Sequence, residues 1–198
     1  NTSIMKQKIA RFISVAGHPL LTIPLYVALV TFASADGQKA AFNSFLIIGC
    51  IFVPLILWLY LKSKNGSYTN FDVSDRKQRK SVFVFIIPIL CIVTLIVYKT
   101  GGQSNPVFQS LLFALILVTI LQISNFYIKS SLHVSFNIYL SFLVMGADYK
   151  SGIIVLLLTI PIAWSRIELS RHTLKEVITG GTIGLVVSAI MFHVQGHL

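Results

Sequence analysis

Long apolar runs separated by short polar segments make up most of the chain. A helix that crosses the hydrocarbon core of a bilayer needs roughly 20 apolar residues, with a range of about 17 to 25. Seven runs approach this length, so the pattern predicts an all-α polytopic membrane protein with a bundle of six to seven transmembrane helices. The predicted spans are about 11–34, 43–62, 82–98, 107–127, 132–147, 151–165 and 175–194.

Three of these runs carry features that predict their surroundings. The first is interrupted at His18-Pro19 and again at Pro24, which predicts breaks in that span. The fifth is short and contains polar side chains, so we expect it inside the bundle. The seventh contains small residues, which permit close helix packing. The polar residues are Ser135, Asn137 and Ser141, and the small residues are Gly180, Gly181 and Gly184.

Composition supports a bilayer as the solvent. The chain is 55% hydrophobic and 11% charged, with a mean hydropathy of +0.82, whereas soluble domains are about a quarter charged. Its 198 residues suit a single integral membrane domain over 1–198. Cys50 and Cys91 lie inside apolar runs, so we expect no structural disulfide.

The net charge of +10 comes from basic residues in short loops. We therefore expect lipid phosphate, and not nucleic acid, as the partner of these residues. Alternate loops of seven spans face opposite sides. One side holds thirteen Lys or Arg and the other holds Lys39, Lys99 and Lys150, which predicts a cytoplasmic first side. An anion-binding site would itself collect basic residues, whichever side it faces. If the eight Lys and Arg of the three polar clusters on the basic side are left out, five basic residues remain on that side against three on the other.

Three polar clusters fall at span ends on that basic side. They are "DVSDRKQRK" at 72–80, "KSSLH" at 129–133 and "SRIELSRHTLKE" at 165–176. Membrane helices bring distant segments together at their ends, so the three clusters are predicted to form one site.

The third cluster predicts phosphoryl transfer. If 172–176 is helical, His172 and Glu176 stand on one face. A carboxylate beside an imidazole fixes its tautomer and leaves the other ring nitrogen as a nucleophile. Arg166 is a suitable bidentate partner for phosphate. The simpler alternative is a surface ion pair between Glu176 and Lys175 or Arg171.

The second cluster supplies an anion site and an acid. Ser131 lies two residues before His133, at the start of the fifth span. A hydroxyl and the amides of a helix N-terminus bind anions, and a histidine there could protonate a leaving oxygen. The simpler alternative is a surface histidine that caps a helix.

These clusters resemble the signatures of the type 2 phosphatidic acid phosphatase (PAP2) superfamily over roughly 72–190. "SSLH" stands where that superfamily has Pro-Ser-Gly-His, and Ser165-Arg166, five residues, His172, three residues and an acid resembles its third signature. "HPLL", "DRKQR" and "RIELSRHTLKEVITGG" are similar to a compact membrane subgroup of Bacteroidetes-type bacteria.

The resemblance implies a metal-independent phosphatase of a lipid phosphomonoester or diphosphate, without a cofactor, in a bacterial inner membrane. His172 would attack phosphorus, His133 would be the acid and Glu176 would orient His172. The implied phosphate-binding residues are Arg166, Ser131, Arg76, Arg79 and Lys80. The implied substrates are phosphatidate, phosphatidylglycerophosphate, undecaprenyl diphosphate or lipid A. Bacterial members usually have a periplasmic site, opposite to the face that the charge count predicts.

The chain departs from the superfamily pattern in four ways. Glu176 replaces the usual Asp, Leu132 replaces Gly, Ser130 replaces Pro, and the first signature lacks its Lys-to-Arg spacing and its Pro. A side chain at 132 stands where backbone should approach phosphate. These departures favour an alternative, a catalytically degenerate subunit that binds lipid or a partner protein in a membrane complex.

Other candidate residues carry weaker predictions. Asp72-x-x-Asp75 could hold Mg²⁺ and a diphosphate, but the remaining acids form no second cluster. His18 is interpreted as serving the break in the first span. His193 and His197 lie at the far end of the chain and are left outside the site.

Overall fold

The protein, described here from a computed structural model, consists of helices joined by short connections over its described ranges. These ranges are 2–33, 36–69, 72–73 and 75–197, and they contain eight helices and no strand. The helices are α1 (Thr2–Ala16), α2 (Pro19–Ala33), α3 (Gly37–Lys64), α4 (Arg76–Gly101), α5 (Pro106–Ser124), α6 (Leu132–Ala147), α7 (Tyr149–Glu168) and α8 (Leu174–Val194).

Within the described ranges, five helices are long and apolar enough to cross a membrane: α3, α4, α5, α7 and α8. Ser3–Ala16 and Pro19–Phe32 pass the same test together but bend by 45° at the break between them, as in a broken span or a re-entrant loop, and α6 is a shorter apolar helix. Large apolar side chains are exposed along these helices, as expected where lipid is the solvent. The predicted all-α polytopic membrane fold is therefore confirmed.

The break in the first span lies at His18-Pro19, as predicted. Proline restricts the residue before it to extended conformations, so α1 ends there and Pro19 begins α2. The predicted interruption at Pro24 is wrong, because α2 continues through it. A proline removes only one amide donor, and membrane helices tolerate that loss.

The described residues cluster into two compact units, Asn1–Thr22 with Ile123–Leu198, and Ile23–Gln122. In the second unit, α3 contains a π-helical stretch, Phe45–Phe52, that packs against α4. The rings of Trp58 and Phe85 stack at 4.4 Å and add a contact between the same two helices. The prediction of one domain over 1–198 stays a prediction.

In the first unit, α6 packs against both α7 and α8, and α1 packs against α7. The polar residues of α6 are buried, as predicted: Ser135, Asn137 and Ser141. Asp148 caps the start of α7, and hydrogen bonds from the side chain and backbone of Ser151 lower the pKa of Asp148.

Two glycines of α8 set its distance from α6. A Cβ at Gly180 would lie 2.7 Å from the Ser131 carbonyl oxygen, and one at Gly184 would lie 2.8 Å from that of Ser135. Both obstacles are backbone, which cannot move aside as a side-chain end can. At Gly181 a Cβ would make only ordinary contacts, at 3.6 Å from Val134.

We expect Gly180→Ala to destabilise the protein by about 1–3 kcal/mol, because an added methyl overpacks the contact between α6 and α8. Gly181→Ala is the matched control and should be neutral or slightly stabilising, because alanine favours the helix. Thermal unfolding in detergent measures both. Equal midpoints for the two variants would contradict the proposed origin of this close approach.

Candidate active site

The corner between α7 and α8 fixes the spacing of Arg166 and His172. Ser170 adopts a left-handed backbone, with φ of 52°. Its amide donates to Ile167 at 2.9 Å, and the Arg171 amide donates to the Arg166 carbonyl at 3.0 Å. These are the two bonds of a Schellman motif. The His172 amide donates to the same Arg166 carbonyl at 3.1 Å, so backbone bonds fix the spacing of the two residues.

A capping box then begins α8 and holds the carboxylate of Glu176. The Glu176 amide donates to the Thr173 hydroxyl at 3.3 Å, and Glu176 Oε2 accepts from the Thr173 amide at 3.1 Å. The same oxygen lies 3.0 Å from Nδ1 of His172. His172 precedes the helix, so 172–176 is not helical as a whole, and helical spacing does not bring the two side chains together. The capping box makes the contact.

The second cluster is bonded directly to this corner. The Ser131 amide donates to the Glu176 carbonyl at 3.0 Å. The ammonium group of Lys129 donates to the Arg171 carbonyl at 2.9 Å and lies 3.9 Å from Glu176 Oε2. The starts of α6 and α8 and the end of α7 therefore meet at one end of this unit.

Ser131 contributes a buried hydroxyl that lacks a hydrogen-bond partner among the described residues. It stands at the N-cap position of α6 but makes no side-chain cap bond. A buried hydroxyl without a partner costs about 1–3 kcal/mol. Such a group in a folded protein calls for an explanation, and a bound ligand is one.

Arg166 places a guanidinium inside the protein. The residue is 2% exposed, and its Nη1 donates to the Ser14 hydroxyl at 2.6 Å. A buried charge is costly unless hydrogen bonds or an opposite charge compensate for it. The arrangement suits an anion that enters beside this side chain.

His133 lies in the first turn of α6 and is buried. Its ring meets the ring of His18 edge to face, with centroids 4.5 Å apart. Asn137 donates from its amide nitrogen to the carbonyls of both His133 and Gly17, at 2.7 Å each. The structure thus brings Ser131, His133, Arg166, His172 and Glu176 to one end of the same unit.

The basic residues of the first cluster lie in the second unit. Arg76, Arg79 and Lys80 stand in the first turns of α4, where Arg79 is buried and the other two are exposed. Asp75 caps this helix by accepting from the amides of Lys77 and Gln78 at 2.9 Å each. The assignment of the three basic residues to the phosphate site stays a prediction.

Sequence reasoning missed two residues that contact the candidate site, Ser14 and His18. His18 does serve the break, as interpreted, but its ring also packs against His133. The spacing of the small residues Ala10, Ser14 and Gly17, which are buried along α1 and just after its end, could have signalled these contacts. Small residues along one face of a helix permit close approach of a neighbour.

We expect Ser170→Val to destabilise the protein by about 1–2 kcal/mol, because a β-branched residue resists the left-handed conformation. Ser170→Gly is the matched control and should keep the native midpoint of thermal unfolding. Both are measured in detergent. A native midpoint for Ser170→Val would mean that the corner can rearrange without cost.

Comparison with known proteins adds no family assignment: no protein-family model, no curated protein and no solved structure matches the chain.

Proposed function

We propose that the protein is a membrane lipid phosphatase that works through a phospho-histidine intermediate, as in the PAP2 superfamily that its motifs resemble. The proposal rests on the chemistry of the residues gathered at the ends of α6, α7 and α8. These groups combine a nucleophile, an acid and anion-binding side chains within a helical membrane protein.

The observation that carries the proposal is the contact between buried His172 and Glu176. An ionised carboxylate only accepts hydrogen bonds, so Nδ1 of His172 is the donor across their 3.0 Å. The neutral ring then has its lone pair on Nε2. A carboxylate also stabilises the positive charge that develops when this nitrogen attacks.

In the proposed first step, Nε2 of His172 attacks phosphorus and the bond from phosphorus to the ester oxygen breaks. Protonated His133 gives its proton to that oxygen. The leaving group is an alcohol when the substrate is a phosphomonoester, and a lipid monophosphate when it is a diphosphate. In the second step, water attacks the phospho-histidine and gives a proton to His133. Inorganic phosphate leaves and both rings return to their starting states.

The proposed phosphate-binding groups are Arg166, the Ser131 hydroxyl and the N-terminus of α6. A buried guanidinium and helix amides stabilise phosphate charge more strongly than solvated groups would. Arg76, Arg79 and Lys80 are included on the resemblance. No metal or cofactor takes part in the proposed steps.

The proposed substrate is a lipid phosphomonoester or diphosphate of the phosphatidate, phosphatidylglycerophosphate, undecaprenyl diphosphate or lipid A class. The proposed location is a bacterial inner membrane. The loop charges favour a cytoplasmic site, whereas the resemblance implies a periplasmic one. The chemistry is the same on either face.

Leu132 supports a second candidate, a degenerate subunit that binds lipid or a partner protein. It is the first residue of α6, where the superfamily has Gly. Its side chain stands where backbone would approach phosphate most closely. Such a subunit would keep the fold and lack turnover.

We expect the purified protein to release phosphate from at least one of these lipids, and His172→Ala to reduce release to background. Activity should persist in EDTA and be inhibited by vanadate, which mimics five-coordinate phosphorus. Loss of activity on chelation, restored by Mg²⁺, would favour the Asp72 and Asp75 alternative. No release from any of the lipids by the wild type would favour the degenerate subunit.

Glu176→Gln tests the orienting carboxylate. Glutamine also serves in a capping box, so the fold should be kept while the charge beside His172 is lost. We expect turnover to fall by about 10²- to 10⁴-fold, the usual range for such groups, and Glu176→Asp to retain much of it. Thr173→Ala is the control that weakens the cap and keeps the carboxylate. Unchanged turnover in Glu176→Gln would reduce Glu176 to a structural role.

A further inference from the structure

A short segment outside 72–190, the range of the three PAP2-like signatures, contacts the proposed site. The segment is 14–18, which ends α1 and contains the break before α2. Its contacts run to three residues of the first unit: Ser14 to Arg166, Gly17 to Asn137, and His18 to His133. Every one of these residues lies in the same compact unit.

The ring of His18 is held by the start of α2. Its Nδ1 accepts from the Leu20 amide at 3.1 Å, and its carbonyl accepts from the Leu21 amide at 2.8 Å. His18 therefore acts as the N-cap of α2. Because Nδ1 accepts, the neutral ring carries its proton on Nε2. The cap thus fixes both the orientation and the tautomer of this ring.

His133 packs against this fixed ring. The interplanar angle is 74° with centroids 4.5 Å apart, a geometry that aromatic rings favour. Asn137 uses its amide nitrogen to join the His133 carbonyl to the Gly17 carbonyl. Gly17 in turn lies against Ile162 of α7, where an added Cβ would come within 2.5 Å of the Ile162 side chain. The break is therefore packed on two sides.

Ser14 contacts a second residue of the proposed site, the guanidinium of Arg166. Its hydroxyl accepts from Nη1 of Arg166 at 2.6 Å, and both residues are buried. A guanidinium binds phosphate best when its planar set of donors is already oriented. The Ser14 contact limits the directions that this side chain can take.

We infer that Ser14 and His18 are positioning residues of the site: His18 holds the ring of His133, and Ser14 holds the guanidinium of Arg166. This inference rests on the proposed phosphatase function. Neither residue takes part in a bond-making step. Displacement of an acid affects turnover, whereas displacement of a phosphate-binding group also weakens substrate binding. The two residues should therefore have different kinetic signatures.

His18→Asn separates the capping role from the positioning role. Asparagine is a strong N-cap residue, so it can accept from the Leu20 amide while the ring is lost. We expect kcat to fall about 10- to 100-fold, part of the contribution of a general acid, with KM and vanadate inhibition unchanged. His193→Asn, at the other end of α8, is the matched control and should be unchanged.

Ser14→Ala removes the acceptor for Arg166. We expect KM and the vanadate inhibition constant each to rise roughly 10-fold, as for one lost hydrogen bond to a charged group. Ser14→Thr keeps a hydroxyl and should rescue both. Ser188→Ala is the control, because among the described residues the buried Ser188 hydroxyl bonds only to Gly184 in its own helix.

Thermal unfolding in detergent accompanies each assay, and His18→Ser, another N-cap residue, replaces His18→Asn if that variant does not fold. Native kinetics for folded His18 and Ser14 variants, with an active wild type and an inactive His172→Ala, would overturn this inference and leave the phosphatase function standing. A wild type that hydrolyses none of the lipids would overturn both.

Discussion

The hydrogen bond from the Ser131 amide to the Glu176 carbonyl joins the two helix starts on which the candidate site depends. It requires the backbones of α6 and α8 to approach more closely than side chains normally permit, and Gly180 makes that approach possible. This contact joins the N-cap of α6 to the capping box of α8, which the chain itself connects to the corner after α7.

The capping box of α8 has a structural use and a chemical use at once. The Glu176 oxygen that accepts from the Thr173 amide is also the one nearest Nδ1 of His172. Helix formation therefore sets the carboxylate in place before any ligand binds. Preorganised groups of this kind avoid a reorganisation cost during a reaction. Lys129 and the carbonyl of Arg171 add further restraint around the same carboxylate.

The sequence predicted the fold well because bilayer spans are long and strongly apolar. It also identified the residues that meet at the ends of α6, α7 and α8, because polar residues are conspicuous in such a chain. It did not predict the π-helical stretch in α3, the continuous path of α2 through Pro24 or the contacts of Ser14 and His18. The π-helical stretch leaves no periodic signal in the sequence, and the small residues at 10, 14 and 17 indicate only that a neighbour approaches closely, without identifying the neighbour.

The corner between Arg166 and His172 fixes the number of residues that separate them. Five residues separate the two, and they form one Schellman motif whose bonds are accepted by the carbonyls of Arg166 and Ile167. An insertion or deletion there would shift the imidazole relative to the Arg166 guanidinium, whatever the inserted residue. Relatives that keep this chemistry should therefore align through the corner without gaps, even where the surrounding apolar residues have diverged completely.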